Sequence, residues 1–356
     1  MNAWVNKVHF GDSRATLRTM HAAGVKVQCV VTSPPYYGLR SYGIGTENGE
    51  IGLEKTPAEY VAALVEVFDG VRELLADDGV LWLNLGDSYN AAGREGHGTR
   101  QGYKQGSNRA SATKADNCRP SVADLKPKDL VGIPWRVAFA LQARGWYLRQ
   151  DIIWSKPNPM PESVTDRCTK AHEYLFLLTK SERYFWDAEA MQERSTGQLA
   201  GNVTPQRLPG ERDGENANIR NGLTAYAQRQ RSKRDSFKRD DSKRAEVIPG
   251  QAVGTHRPDR EESEYDTGMR NRRSVWTVPT QPYAGAHFAT FPPALIEPCV
   301  LAGSRPGDVV LDPFMGSGTT AQVAQALGRQ WIGCELNPEY GPLQQERTAQ
   351  SALGLL

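Results

Sequence analysis

Val309-Val310-Leu311-Asp312-Pro313-Phe314-Met315-Gly316-Ser317-Gly318-Thr319-Thr320 is an apolar strand that enters a glycine loop and leaves it as a helix. The helix carries Val323, Ala324 and Leu327 on its apolar side and stops at Gly328, a residue suited to the left-handed turn that ends helices. Gln330-Trp331-Ile332-Gly333-Cys334-Glu335 follows as a second strand and ends on an acid. Gly316 and Gly318 let a ligand approach the backbone closely, and Thr319 and Thr320 offer hydroxyls and amides at a helix start. Glu335 is placed to accept hydrogen bonds from the two hydroxyls of a ribose. A nucleoside-containing ligand is implied. The same stretch fits G-x-G-x-x-A with an acid some distance on, so a nicotinamide dehydrogenase is a competing reading. A P-loop is disfavoured, because no Gly-Lys-Ser/Thr follows the glycines.

Outward from this unit, strand-like runs of β-branched and aromatic residues recur at 8–10, 27–31, 80–85, 147–154 and 174–178, besides 309–311 and 331–334. Helical segments lie between most of them. The clearest begins at Thr56-Pro57-Ala58-Glu59, where Thr caps, Pro occupies the first helical position and Glu closes a capping box. Tyr60, Leu64, Val67, Phe68, Val71, Leu74 and Leu75 then recur at helical spacing, and Asp77-Asp78-Gly79 is read as the turn into the next strand. Alternating strands and helices imply a mostly parallel, doubly wound α/β sheet covered on both faces.

A chain of 356 residues exceeds one ordinary domain, so a large core with a substantial insertion is expected. Net charge of +2 neither requires nor excludes a polyanionic partner. The five cysteines, Cys29, Cys118, Cys168, Cys299 and Cys334, are odd in number and form no C-x-x-C pair, so neither a disulfide framework nor a metal site is expected. Residues 1–7 lack the apolar stretch of a signal peptide, and no apolar run approaches ~18 residues. A cytoplasmic setting without a membrane partner is the expectation.

Val30-Val31-Thr32-Ser33-Pro34-Pro35-Tyr36 is a second strand exit of unusual composition. Consecutive prolines remove two backbone donors and push the residue before each out of the helical region. Carbonyls there have no ladder partners. A hydroxyl, free C=O groups and an aromatic ring are thus displayed at the carboxyl end of a strand, where open α/β sheets bind ligands. A planar group bearing NH2 could donate to Ser33 and to the Pro34 carbonyl while stacking on Tyr36. A Pro-rich turn without a ligand is the plain alternative. An amine cradle has no evident use in hydride transfer, which counts against the dehydrogenase.

Two stretches do not fit the sheet. Residues 90–128 are rich in Gly, Ser, Asn, Arg and Lys and read as a long surface loop. Residues 188–273 contain Arg229, Arg231, Lys233, Arg234, Lys238 and Arg239 with Tyr226 and Phe237 interleaved, a composition suited to phosphate contacts and base-edge readout. A solvated, charge-rich insertion is the competing reading.

Together the two strand-end motifs resemble the S-adenosylmethionine-dependent amino-methyltransferases of DNA, in the permuted group where the catalytic motif precedes the cofactor motif. The resemblance covers most of the chain outside the two insertions. It implies a Rossmann-like, seven-stranded methyltransferase sheet: residues 1–187 as the catalytic half, 188–273 as target-recognition insertion and 274–356 as the cofactor half. By the same resemblance Phe314, Gly316, Ser317 and Gly318 form the cofactor loop, with Asp312 and Thr319 near the methionine part of S-adenosylmethionine. Glu335 holds the ribose, Asp12 after Gly11 lies beside the adenine, and the segment from His287 precedes a helix that closes over methionine. The stretches 84–88, 153–158 and 166–173 line or brace the target pocket.

Ser33, Pro34, Pro35 and Tyr36 are then the catalytic motif, acting on the N4 of cytosine or the N6 of adenine in a flipped base of duplex DNA. Family members often dimerise, so a homodimer is a further expectation; a paired restriction enzyme is not inferable from the chain. A catalytically idle DNA-binding regulator on the same fold, and an RNA or protein amine as substrate, stay open at this point.

Overall fold

The structure is a computed structural model, and it describes residues 3–38, 44–46, 49–90, 125–194, 269–281 and 291–353. Two compact units are present: 1–192 with 271–356, and 193–270. The first contains one eight-stranded sheet in the order β1-β10-β9-β2-β3-β5-β4-β8. Its strands are β1 (Lys7–Phe10), β2 (Val27–Thr32), β3 (Leu75–Leu85), β4 (Tyr147–Ser155), β5 (His172–Thr179), β8 (Val275–Thr277), β9 (Val309–Asp312) and β10 (Gln330–Glu335). The described residues of the second unit lie in β6 (Gln192–Arg194) and β7 (Met269–Asn271), which pair with each other, and Arg270 Nε donates to Glu193 at 2.9 Å.

Every ladder in the large sheet is parallel except the two made by β5, which runs against both β3 and β4. The carboxyl ends of seven strands therefore meet at one edge, joined there by the start of β5. Alternation along the central strands shows both faces buried. Val30, Leu81 and Leu83 point into one apolar cluster, with α1 (Ser13–Ala22), α2 (Pro57–Leu74) and α3 (Ile133–Ala143). Cys29, Val31, Val80 and Trp82 point into the other, with α4 (Pro293–Gly303) and α5 (Thr319–Ala326). The chain then closes with α6 (Gly341–Leu353).

Helix α2 forms as its sequence dictates. Thr56 Oγ1 accepts from Glu59 N at 3.2 Å while Glu59 reaches back to the Thr56 amide, so the capping box is complete. Tyr60, Leu64, Val67, Phe68, Val71 and Leu74 are fully buried on one face. Each large aliphatic side chain there contributes about 2–5 kcal/mol by the cost of truncating it.

Two local expectations change. The sheet has an eighth strand, β8, where seven were expected; Val275-Trp276-Thr277 pairs in parallel with the end of β4 and buries only Trp276. Asp77-Asp78-Gly79 is not a turn before β3 but a bulge within it: pairing with β2 slips between Val27 and Cys29 so that the two acids project outward.

Candidate active site

Two strand ends on the same edge carry the chemistry. The first follows β2. Ser33 is half-buried, and its Oγ lies 3.2 Å from Asn84 Oδ1 near the end of β3. The Asn84 amide is oriented by its Nδ2, which donates to the Tyr174 carbonyl at 3.1 Å, so Oδ1 is turned toward Ser33 as an acceptor. Ser33 thus donates its proton to Asn84 and keeps its oxygen lone pairs. The Pro35 carbonyl is taken by Tyr60 Oη at 2.7 Å, whereas none of the described residues donates to the Pro34 carbonyl. Ser33 Oγ and the Pro34 carbonyl, one half-buried and one in a buried residue, are two acceptors on consecutive residues with no donor among the described residues.

Tyr36 is held at both ends. Its ring lies flat enough on Gly86 that a Cβ at that position would come within 2.5 Å of Cε2, which is why glycine follows β3. Its hydroxyl donates to Glu173 Oε2 at 2.6 Å and lies 3.1 Å from Asn84 Oδ1. Burial and then the Glu173 carboxylate push the Tyr36 phenol well above its ordinary pKa, so it stays protonated. Glu173 in turn pairs with Lys156 through Oε1, and the Lys156 ammonium sits 4.3 Å above the Trp154 ring. Asp87 caps α3 with one oxygen, accepting from the amides of Gly132 and Ile133 at 3.0 Å each.

The second strand end follows β9 and β10. Asp312 is buried and both its oxygens are taken: Thr32 and Thr320 hydroxyls donate at 2.6 Å each, and the Phe314 amide at 3.0 Å. Burial pushes its carboxyl up to about 6. Asp312 and Thr320 therefore brace the loop to β2 rather than face outward. Thr319 Oγ1 accepts from Arg347, so this side chain too is turned into the protein. Glu335, at the end of β10, accepts from Gly316 N at 2.8 Å and from Asn337 N at 2.9 Å. Each carboxylate oxygen keeps a further lone pair, and burial lifts this acid to about 7. Asp12 caps α1 and is gripped by Arg14, at 2.7 Å to Nη2; burial alone would raise its pKa, but the Arg14 hydrogen bonds and charge hold it below the ordinary value.

Gly318 has φ +91°, and a Cβ there would press on the Gln344 backbone at 3.3 Å, so α6 packs directly on the glycine loop. Gln344 Nε2 donates to the Gly316 carbonyl at 2.7 Å, while Gln344 Oε1 and the Ser317 hydroxyl are buried with no partner among the described residues. Two orphaned polar atoms beside a glycine loop, with an acid that has lone pairs to spare, fit a nucleoside carrying an amino-acid tail. Gln344 and Arg347 were not singled out in the sequence. Their signal is a polar i, i+3 pair on the helix after the strand-ending acid. His287 and Arg229, Arg231, Lys233, Arg234, Lys238 and Arg239 lie outside the described residues.

An open doubly wound sheet with an acceptor-lined cradle and a glycine loop at one edge defines a nucleoside-dependent group-transfer enzyme. The family model for N6/N4 DNA methylases matches residues 27–346. The chain is 43% identical over 330 residues to the type II methyltransferase M.Cfr9I of Citrobacter freundii, covering 93% of this chain and 83% of the relative. It is 42% identical to the type II methyltransferase M.XycI of Xanthomonas campestris pv. cyanopsidis, over 95% and 85% of the two chains. Its fold is similar to that of the PvuII cytosine-N4-specific DNA methyltransferase, with a TM-score of 0.54 at 17% identity, over 96% of this chain and 85% of that one.

The chain belongs to the N6/N4 DNA methylase family and is an S-adenosylmethionine-dependent DNA methyltransferase. The nicotinamide reading of the glycine loop is thereby set aside, as is the catalytically idle regulator. No helix among the described residues is long and apolar enough to cross a membrane, and no cluster of ligating side chains among them could hold a metal.

Proposed function

We propose that the chain methylates the exocyclic amine of a base flipped out of duplex DNA, and that the base is cytosine, methylated at N4. The observation that carries this reading is the pair of open acceptors, Ser33 Oγ and the Pro34 carbonyl, on the same sheet edge as the glycine loop. The amine of a stacked, paired base cannot reach such a cradle. Flipping costs a few kcal/mol, roughly, and an aromatic platform such as Tyr36 offsets part of it. Two N–H bonds to Ser33 and Pro34 draw the nitrogen toward a tetrahedral geometry and free its lone pair. S-adenosylmethionine, when bound, supplies an electrophilic methyl group. Ser317, Gln344 and Glu335 are the residues that would hold it.

Serine is a poor base, so positioning dominates and the transfer is direct, without a covalent enzyme intermediate. Burial pushes the thiols of Cys29, Cys299 and Cys334 up, so none of these three offers a thiolate to attack a ring carbon. Ser33 in place of an acid, and the cytosine-N4 specificity of the PvuII enzyme that shares the fold, favour cytosine. The basic residues of the insertion, Arg229 to Arg239 in sequence, supply the phosphate contacts, and a DNA substrate supports a cytoplasmic setting.

Two experiments test this. Ser33→Ala should bind S-adenosylhomocysteine as the unaltered protein does, by calorimetry, while losing methyl transfer; full transfer would sink the cradle. Deleting residues 228–244 should abolish duplex binding and spare cofactor binding; unchanged DNA affinity would remove the insertion from recognition.

A further inference from the structure

The oxygens around the cradle hold fewer protons than contacts. Ser33 Oγ lies 3.2 Å from Asn84 Oδ1 and 3.5 Å from Tyr36 Oη; Tyr36 Oη lies 3.1 Å from Asn84 Oδ1 and 2.6 Å from Glu173 Oε2. Only the two hydroxyl protons serve these contacts, because the Asn84 NH2 is turned toward Tyr174. The cluster has room for one more proton. Its far end reaches water: the Glu173 and Lys156 side chains are 14% and 18% exposed.

Amine methylation produces that proton. Nitrogen gains the methyl carbon with its own lone pair and becomes positive, the electron pair of the broken C–S bond remaining on sulfur. An alkylated amine on an aromatic ring is a strong acid and gives its proton up readily to an oxygen that can pass it on. The Pro34 carbonyl is a dead end. Asn84 is another, since an amide oxygen does not pass a proton on.

We propose that Ser33 Oγ, Tyr36 Oη and the Glu173 carboxylate form the path by which the methylated amine loses its proton, resting on the amine transfer proposed above. The nitrogen hands its proton to Ser33 Oγ as the C–N bond forms. Ser33 turns its own proton from Asn84 Oδ1 to Tyr36 Oη, 3.5 Å away, and passes it there, and Tyr36 passes its own to Glu173 Oε2, which becomes a carboxylic acid and returns the proton to water. Ser33, Tyr36 and Glu173 end as they began, the base starts and ends neutral, and the positive charge lost by the donor's sulfur leaves as the proton returned to water. Glu173 acts through Tyr36 and never touches the base; Lys156 and the Gly86 backbone hold the path in line.

The test is single-turnover methyl transfer to duplex DNA in H2O and D2O by Tyr36→Phe, which keeps the ring, and Glu173→Gln, which keeps an acceptor for the phenol but is not a base. Equilibrium binding of duplex without cofactor, and of S-adenosylhomocysteine without duplex, accompanies both. The path predicts unchanged binding, about 10²-fold slower transfer in each variant, no further loss in the double variant and no solvent isotope effect in any of the three. Glu173→Gln transferring at the unaltered rate would show that Glu173 only positions the ring, and would overturn the path. So would additive losses, or a Tyr36→Phe defect confined to DNA affinity. If Glu173→Gln loses S-adenosylhomocysteine binding it has misfolded, and the rate and isotope effect of Tyr36→Phe decide alone. Failure of the unaltered protein to label any amine would instead refute the transfer itself.

Discussion

At the ends of β9 and β10 nearly every charged or hydroxylic side chain is already bonded to protein, whereas at the end of β2 two acceptors stand open. Asp312, Thr319 and Thr320 all spend their polar atoms on bracing, and Glu335 spends half of its capacity. Ser33, by contrast, commits only its proton, and the Pro34 carbonyl accepts from none of the described residues. The difference teaches that one site holds a bulky ligand by shape and a few groups, so its acids rigidify the loop. The other must act on a single nitrogen, so its acceptors are left without a donor among the described residues, and their surroundings are fixed from behind by Asn84, Glu173 and Gly86.

Substitutions that invert either half of this contrast should give effects of different kind. The largest is expected for Tyr36→Ala, which removes platform and hydroxyl together: methyl transfer should fall about 10²–10³-fold in single turnover, with S-adenosylhomocysteine affinity unchanged in calorimetry. Asp312→Ala should do the reverse. It strands two hydroxyls and an amide in the core, so chemical denaturation should show a loss of about 3 kcal/mol, and cofactor affinity should fall with it.

Glu335 gives a pH signature of intermediate size. Burial holds its acid at about 7, above its ordinary 4.5, so its contribution to folding is fully present below 4.5 and is lost as pH rises through 7. Binding of ribose hydroxyls needs the charged form. Affinity for S-adenosylhomocysteine should therefore be level above pH 7 and fall about tenfold per unit below it, whereas Glu335→Gln should bind weakly with no such slope. The smallest effect belongs to the scaffold: Thr56→Ala removes one cap of α2 and should cost about 1 kcal/mol in denaturation, leaving both sites intact.

The two halves were also unequally legible in the sequence. Strand ends are local, so Ser33-Pro34-Pro35-Tyr36 and Gly316-Ser317-Gly318 could be read from composition and spacing, and the α2 capping box from four residues. Bracing is not local. Thr32 and Asp312 lie far apart in the chain, and only the adjacency of β2 and β9 brings them together, so an acid that reads as a ligand group turns out to be internal. Gln344 was hidden for a similar reason, since its meaning depends on α6 resting on Gly318. β8 was too short to show periodicity, and the bulge at Asp77-Asp78-Gly79 carries the same residues as a turn. What a residue is spent on depends on its neighbours in space, which one chain does not display.

The most direct test of the central claim is the chemical identity of the product. Duplex DNA methylated by the unaltered protein with a labelled donor is digested to nucleosides and resolved by mass. Label in N4-methylcytosine is the result predicted here; label in N6-methyladenine would keep the amine cradle and overturn the base, and label on the C5 carbon of cytosine, or on no nucleoside, would contradict the account.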